Sequence, residues 1–299
     1  SPLTTYPIMR LDGRRESTNV EDRRSGGGMS GGGKASLGIG GMIIVALLTW
    51  VMGGNPLEVL QGGVGDSEAG DASPQKEYVQ SEEEAALFSF MKKVFASTED
   101  VWTEVFKAEG LEYRQPKMVI YRNSTRSGCG QASSSTGPFY CPADQTVYID
   151  LSFFDEMERS LGAGGDFAYA YVIAHEVGHH VQYLLGNIER VNRETARLGK
   201  KEGNRLSVRL ELQADYLAGV WANHENERWK SLQDGDLEEA INAASQVGDD
   251  RLQKAAGGSV VPDAFTHGTS AQRMRWLKRG YQSGKLRGGD TFSVPYDEL

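Results

Sequence analysis

The sequence predicts a mostly helical α+β domain carried behind one N-terminal transmembrane helix. Three observations predict it. Apolar residues recur at helical spacing in several long stretches. Only two short runs, 118–121 and 147–150, have the β-branched and aromatic character of strands. One run near the start, 35–54, has no charged residue over a length close to the minimum for crossing hydrocarbon.

In chain order, residues 1–34 are polar and end in Gly26-Gly27-Gly28-Met29-Ser30-Gly31-Gly32-Gly33, so they are expected to form a disordered tail. The run 35–54 has its apolar centre at 42–52, and Trp50 suits a membrane interface. A cleaved signal peptide is the competing reading. The long head, and the Gly53-Gly54-Asn55-Pro56 that follows without an A-x-A site, favour an uncleaved anchor. A buried core helix is a third reading, opposed by the Gly-rich flanks. The first 35 residues hold six Lys or Arg against four Asp or Glu, and acidic residues follow the span. This bias predicts a single-pass protein of the inner membrane, N-terminus cytoplasmic, with the folded domain periplasmic or extracellular. Residues 55–80, mostly Gly, Asp, Ser, Pro and Gln, read as a flexible linker, and 81–299 as the folded domain.

Within that domain, 82–98 carries Ala86, Phe88, Phe90, Met91, Val94 and Phe95 in a helical pattern. Glu99-Asp100-Val101-Trp102 is expected to open another helix, with Ser97 or Thr98 as its cap. The segment 166–174 lacks Pro and Gly and suits a buried helix. The stretch 206–221, with Leu206, Leu210, Leu217 and Val220, reads as helix, and Gly219 permits close helix approach. Further helices are expected at 237–243 and 271–282, and the charged 190–204 as a surface helical connection.

A net charge of −9 argues against a nucleic-acid partner, which needs a clustered basic face. Cys129 and Cys141 bracket a small polar loop. Two free thiols would suit a cytosolic protein; behind an export anchor, a disulfide between Cys129 and Cys141 is expected. They lack the C-x-x-C spacing of a zinc pair.

The most informative string is His175-Glu176-Val177-Gly178-His179. On a helix the two imidazoles lie one turn apart on one face and can share a Zn²⁺. Glu176 is then placed as general base toward a zinc-activated water. Such a short pattern also arises by chance, so the rest of the chain decides. A zinc used in catalysis needs a third protein ligand. A third His six residues after the second, as in metzincins, is excluded, because Leu185 stands there and Gln182 replaces the expected Gly. Glu211 and Asp215 form another i, i+4 pair among apolar neighbours. Glu211 is assigned as third ligand. Asp215 is expected to accept the other N–H of a ligating His.

The pairing of an H-E-x-x-H helix with an E-x-x-A-D helix resembles the gluzincin metallopeptidases. More narrowly, the chain resembles a bacterial family of neutral zinc metallopeptidases, single-pass membrane proteins with a zincin-like domain. The resemblance runs from Met9 and includes Gly13-Arg14-Arg15-Glu16-Ser17, Val20-Glu21-Asp22-Arg23-Arg24, Gly137-Pro138-Phe139-Tyr140-Cys141-Pro142 and Phe265-Thr266-His267-Gly268-Thr269-Ser270. Residues 1–8 precede it and are set aside as an appended segment. The resemblance implies that His267 binds the developing oxyanion; a capping or packing histidine is the alternative. It also allows 146–150 to pair with an extended substrate, against a purely structural strand. The remaining histidines are expected to pack or cap beside the motif (His180) and to lie on a solvated helix face (His224).

The function expected is that of a membrane-anchored, zinc-dependent metalloendopeptidase acting on a peptide or protein substrate. One alternative is a non-catalytic zinc-binding envelope protein or interaction module. Another is a zinc amidase acting on cell-wall components, which would use the same site.

Overall fold

The computed structural model of the protein describes residues 9–25, 79–133, 136–161, 164–248 and 265–299. The expected membrane span 35–54, residues 1–8 and 26–34 of the tail, and the linker up to residue 78 lie outside the described residues. Among the described residues no helix is long and apolar enough to cross a membrane.

The fold is mostly helical α+β with a small sheet. Strand β1 (Val20–Arg23) is followed by helix α1 (Glu82–Ala108), β2 (Lys117–Tyr121), β3 (Ser124–Ser127), β4 (Gly130–Ser133), β5 (Phe139–Cys141) and β6 (Thr146–Asp150). Then come helices α2 (Leu151–Leu161), α3 (Asp166–Leu184), α4 (Asn187–Leu198), α5 (Lys200–Trp229), α6 (Asp236–Gln246) and α7 (Ser270–Ser283). The four-stranded sheet has the order β1-β2-β6-β5, with β1–β2 and β2–β6 parallel and β5–β6 antiparallel. β3 and β4 form a separate antiparallel hairpin. A disulfide between Cys129 and Cys141, Cα atoms 5.8 Å apart, ties that hairpin to β5.

Two expectations for the first half change. The region 82–108 is one helix, not two. Ser97 and Thr98 do not cap, because both hydroxyls are committed inside the fold: Ser97 bonds the Glu225 carboxylate and accepts from Trp221 Nε1, and Thr98 donates to Phe95 O. The helix is capped instead by Ser81, which accepts from Glu84 N at 3.1 Å. The second change concerns 146–150. β6 lies between β2 and β5 with all five residues buried, paired along its length with β2 and at Thr146–Tyr148 with β5. It is a structural strand.

The N-terminal stretch differs most from expectation. Residues 9–25 are not a disordered tail. Met9 and Leu11 enter the main core, and β1 pairs in register with β2, Val20 opposite Met118 and Arg23 opposite Tyr121. Composition misled here, since a charge-rich, apolar-poor stretch reads as solvated unless its charges have distant partners. Those partners are carboxylates of α1 and α5, Glu99 and Glu225 among them buried. Arg14 Nη1 meets Glu225 Oε1 at 2.8 Å, Arg15 pairs with Glu99 and Asp100, and Ser17 and Asn19 donate to Glu99.

In the second half, α3 lies against α5 and α6, and α7 packs along α5. The α5–α7 seam is very close. A Cβ on Gly280 would fall 1.9 Å from Tyr216 O, and one on Gly219 only 2.2 Å from Leu277 O. Each glycine receives the other helix's backbone, as read for Gly219 from sequence. At the end of α7, His224 Nε2 donates to Gly284 O at 2.7 Å, so His224 is a packed helix-to-helix link and not a solvated side chain.

Candidate metal centre

Helix α3 carries His175, Glu176 and His179 on its buried length, and α5 brings Glu211 and Asp215 across from it. Gly178 sets the spacing: its missing side chain leaves α5 close, since a Cβ there would sit 3.1 Å from Ala214 O. The structure brings His175, His179 and Glu211 together, with one ligand atom from each inside a 4.8 Å set. His175 Nε2 is 3.1 Å from Glu211 Oε2, and His179 Nε2 is 3.3 Å from Glu211 Oε1. Two atoms bonded at roughly 2.0–2.1 Å to one tetrahedral zinc lie about 3.3 Å apart. The donor set therefore fits that ion in type and in spacing.

Each imidazole is held at its other nitrogen. Asp215 Oδ1 lies 2.9 Å from His175 Nδ1. Gln182 Oε1 lies 2.8 Å from His179 Nδ1, and the Gln182 amide is turned that way because its Nε2 donates to Leu210 O and Gln213 Oε1. An acceptor at each Nδ1 orients both rings so that Nε2 points toward Glu211. Asp215 is itself gripped: Arg273 Nε reaches Oδ2 at 2.7 Å, Arg273 Nη2 reaches Oδ1 at 3.1 Å, and Tyr171 donates its hydroxyl to Oδ1.

Burial alone would raise the Asp215 carboxyl, but Arg273 and His175 outweigh it and hold it at about 2. Burial likewise opposes charge on His175, yet Asp215 and Glu211 raise it to about 10. Glu211 is held well below the ordinary carboxylate range by the two imidazoles, against its own burial. Without metal, the site thus holds protons where a divalent cation would replace them. Burial pushes Glu176 up, with Glu211 adding to it and the imidazoles and Arg273 opposing. Among the described residues its carboxylate has no hydrogen-bond partner.

His180 does not join the group. Its Nδ1 sits 2.7 Å from Tyr140 Oη and its Nε2 donates to Arg114 O at 2.6 Å, which pins α3 to β5 and to the segment before β2. His267 is half-buried just before α7, with Nδ1 2.9 Å from Thr266 Oγ1. Ser207 on α5 donates to Thr266 O, and Gly268 lies against Val208 and Leu212. His267 is therefore set beside the Glu211 helix, outside the converging set of three.

Tyr171, Gln182 and Arg273 escaped the sequence reading as partners of the site. Gln182 was findable. Once two His ligands are assigned, each Nδ1–H needs an acceptor, and an amide three residues after His179 is one. Arg273 had no local signal, since it lies 58 residues from Asp215.

Two imidazoles and a carboxylate on crossing helices, with a second carboxylate beside them, define a zinc-metallopeptidase type of site. The chain belongs to the family described as Putative neutral zinc metallopeptidase, whose model matches residues 9–292. It is 51% identical over 298 residues to the uncharacterized protein YpfJ of Escherichia coli strain K12, covering 95% of this chain and 99% of that one. It is 41% identical over 208 residues to the uncharacterized protein Rv2575 of Mycobacterium tuberculosis strain H37Rv, covering 66% and 68%. No solved structure matches it.

Proposed function

We propose that this protein is a zinc-dependent endopeptidase acting on peptide or protein substrates. The observation that carries the reading is the convergence, among the described residues, of three donors beside a buried carboxylate that none of those residues hydrogen-bonds. A structural zinc site normally closes all four positions with protein ligands. Here the adjacent His180 is committed to Tyr140 and Arg114, and among the described residues the group is His175, His179 and Glu211.

These three residues would hold the ion. Bound zinc supplies Lewis acidity, lowering the pKa of water toward ~7 and polarising a carbonyl. Asp215 and Gln182 keep the imidazoles in the tautomer that presents Nε2. Glu176 takes a proton from the attacking water and returns it to the leaving amine. His267, on the loop set beside the Glu211 helix, is the side chain proposed to steady the developing oxyanion.

The test is Glu176→Gln in the full chain. It should keep stoichiometric zinc and lose ~10²–10⁴-fold in cleavage of a peptide library. Wild-type cleavage rate in that variant, or no cleavage of any peptide by the zinc-loaded wild type, overturns the peptidase reading.

A further inference from the structure

Arg23 and Arg24 pair partly within the stretch 13–24, with Glu21 and Asp22, but Arg14 and Arg15 find their partners later in the chain. Glu225 is fully buried on α5 and its carboxylate is met by Arg14, Ser97 and Ser231. Glu99, 2% exposed on α1, is met by Arg15, Ser17 and Asn19. Glu16 pairs with Lys92 and Ser89 of α1. Removing the arm would strip Glu225 of the one cation paired with it among the described residues and the Glu99 carboxylate of its hydrogen bonds to the arm, and a buried charge so orphaned is strongly destabilising. The arm also supplies an edge strand of the sheet and two core side chains.

The place where the arm ends is as telling. Arg24, buried, donates to Gln80 Oε1 at 3.1 Å and meets Glu84 Oε1 at 3.4 Å. The chain thus departs after residue 25 and returns at residue 79 at neighbouring points of one surface. All of this is a single body, while the charge bias around 35–54 predicts one crossing of a membrane between its two parts. Both cannot hold.

We infer that residues 9–25 and residues 79–299 lie on the same side of any membrane the chain meets, so that the chain between them does not cross it once. Two crossings are excluded by length. Only 23 residues separate Lys34 from Glu58, the charges flanking the apolar run, and two helical spans need roughly 40 apolar residues. The arm is therefore part of the domain's own compartment, and opposite placements of N-terminus and domain are incompatible with the docked arm. An arm exchanged between two copies obeys the same constraint, because its receptor is still the Glu99 and Glu225 face.

The experiment uses the full chain in cells, with Gly28→Cys and Ser73→Cys made singly; Cys129 and Cys141 are consumed by their disulfide. A membrane-impermeant maleimide is applied before and after permeabilisation. The two positions should behave alike, both labelled from outside or both only after permeabilisation. Labelling of one with protection of the other overturns the inference. As a second measurement, Asn19→Cys with Gln115→Cys replaces a side-chain pair now 3.0 Å apart. A short membrane-permeant bis-maleimide, which spans the two positions without requiring disulfide geometry, should join them in intact membranes. If both thiols react with a permeant maleimide yet never cross-link, the docked arm, and with it the shared compartment, is refuted.

Discussion

Arg273 holds Asp215 with two nitrogens, Nε on one carboxylate oxygen and Nη2 on the other, and the same guanidinium lies 3.2 Å from the Tyr171 hydroxyl. Asp215 in turn fixes His175. The position of a proposed ligand imidazole on α3 therefore depends on a residue of α7 outside the three-donor group.

Arg273→Met should weaken zinc binding ~10–100-fold, the usual cost of an outer partner. Arg273→Lys should recover part of it, since the charge returns without the planar fork. Competition against a chromophoric chelator reads both, with thermal melts of the metal-free proteins as a check on folding. Equal affinity in wild type and Arg273→Met would remove Arg273 from the site's architecture.

Glu211 and Asp215 should separate in a zinc titration. Glu211→Ala loses a ligand and its charge, so it should bind little zinc even at high metal. Asp215→Asn should still fill, with affinity reduced ~10–100-fold. The reverse pattern would exchange their roles.

His180 gives a pH signature away from the metal. Burial, against the hydrogen bond to Arg114 O and helped by the Arg114 charge, depresses it from an ordinary 6.5 to about 4. As pH falls, the unfolded chain takes the proton first, so stability secured by neutral His180 is present above ~6.5 and lost on the way down toward 4. The loss is on the order of 2–3 kcal/mol by pH 4.5. Urea midpoints of zinc-free protein at pH 7 and 4.5 should diverge more in wild type than in His180→Gln. An identical pH difference in both would show that His180 does not titrate as described.

The disulfide closes a short loop between residues 12 apart. The chain-entropy model gives about 3 kcal/mol for a loop of that size. Cys129→Ser with Cys141→Ser should lower stability by that order while leaving zinc stoichiometry unchanged, because the bridge joins β5 to the hairpin and touches no donor. Loss of zinc in the double variant would tie the hairpin to the metal centre.

Much of the centre was legible because it is local. His175, Glu176 and His179 lie within one turn of helix, and Glu211 with Asp215 within another, so spacing alone predicts shared faces. The two central strands and most helices were legible for the same reason. What failed was long-range. Ser97 looked like a cap because its true partners, Glu225 and Trp221, lie more than 120 residues on. Arg14 and Arg15 looked solvated because their carboxylates are distant as well. Short strands such as β5 have too few residues for periodicity to register, and their existence depends on a neighbour to pair with.

The seam in which Gly219 and Gly280 admit each other's backbone sets how far the protein can be pared down. A fragment ending at residue 248 would retain every proposed metal donor and the general base. It would also leave Asp215 as a buried anion facing an open trough where Arg273 had been, and α5 with a strip of bare backbone at Gly219. Grafting the two ligand helices alone into another scaffold would transplant the letters of the motif without the counter-charge that orients it. The smallest portable unit of this chemistry includes the last long helix, and a designer would have to bring both glycines along.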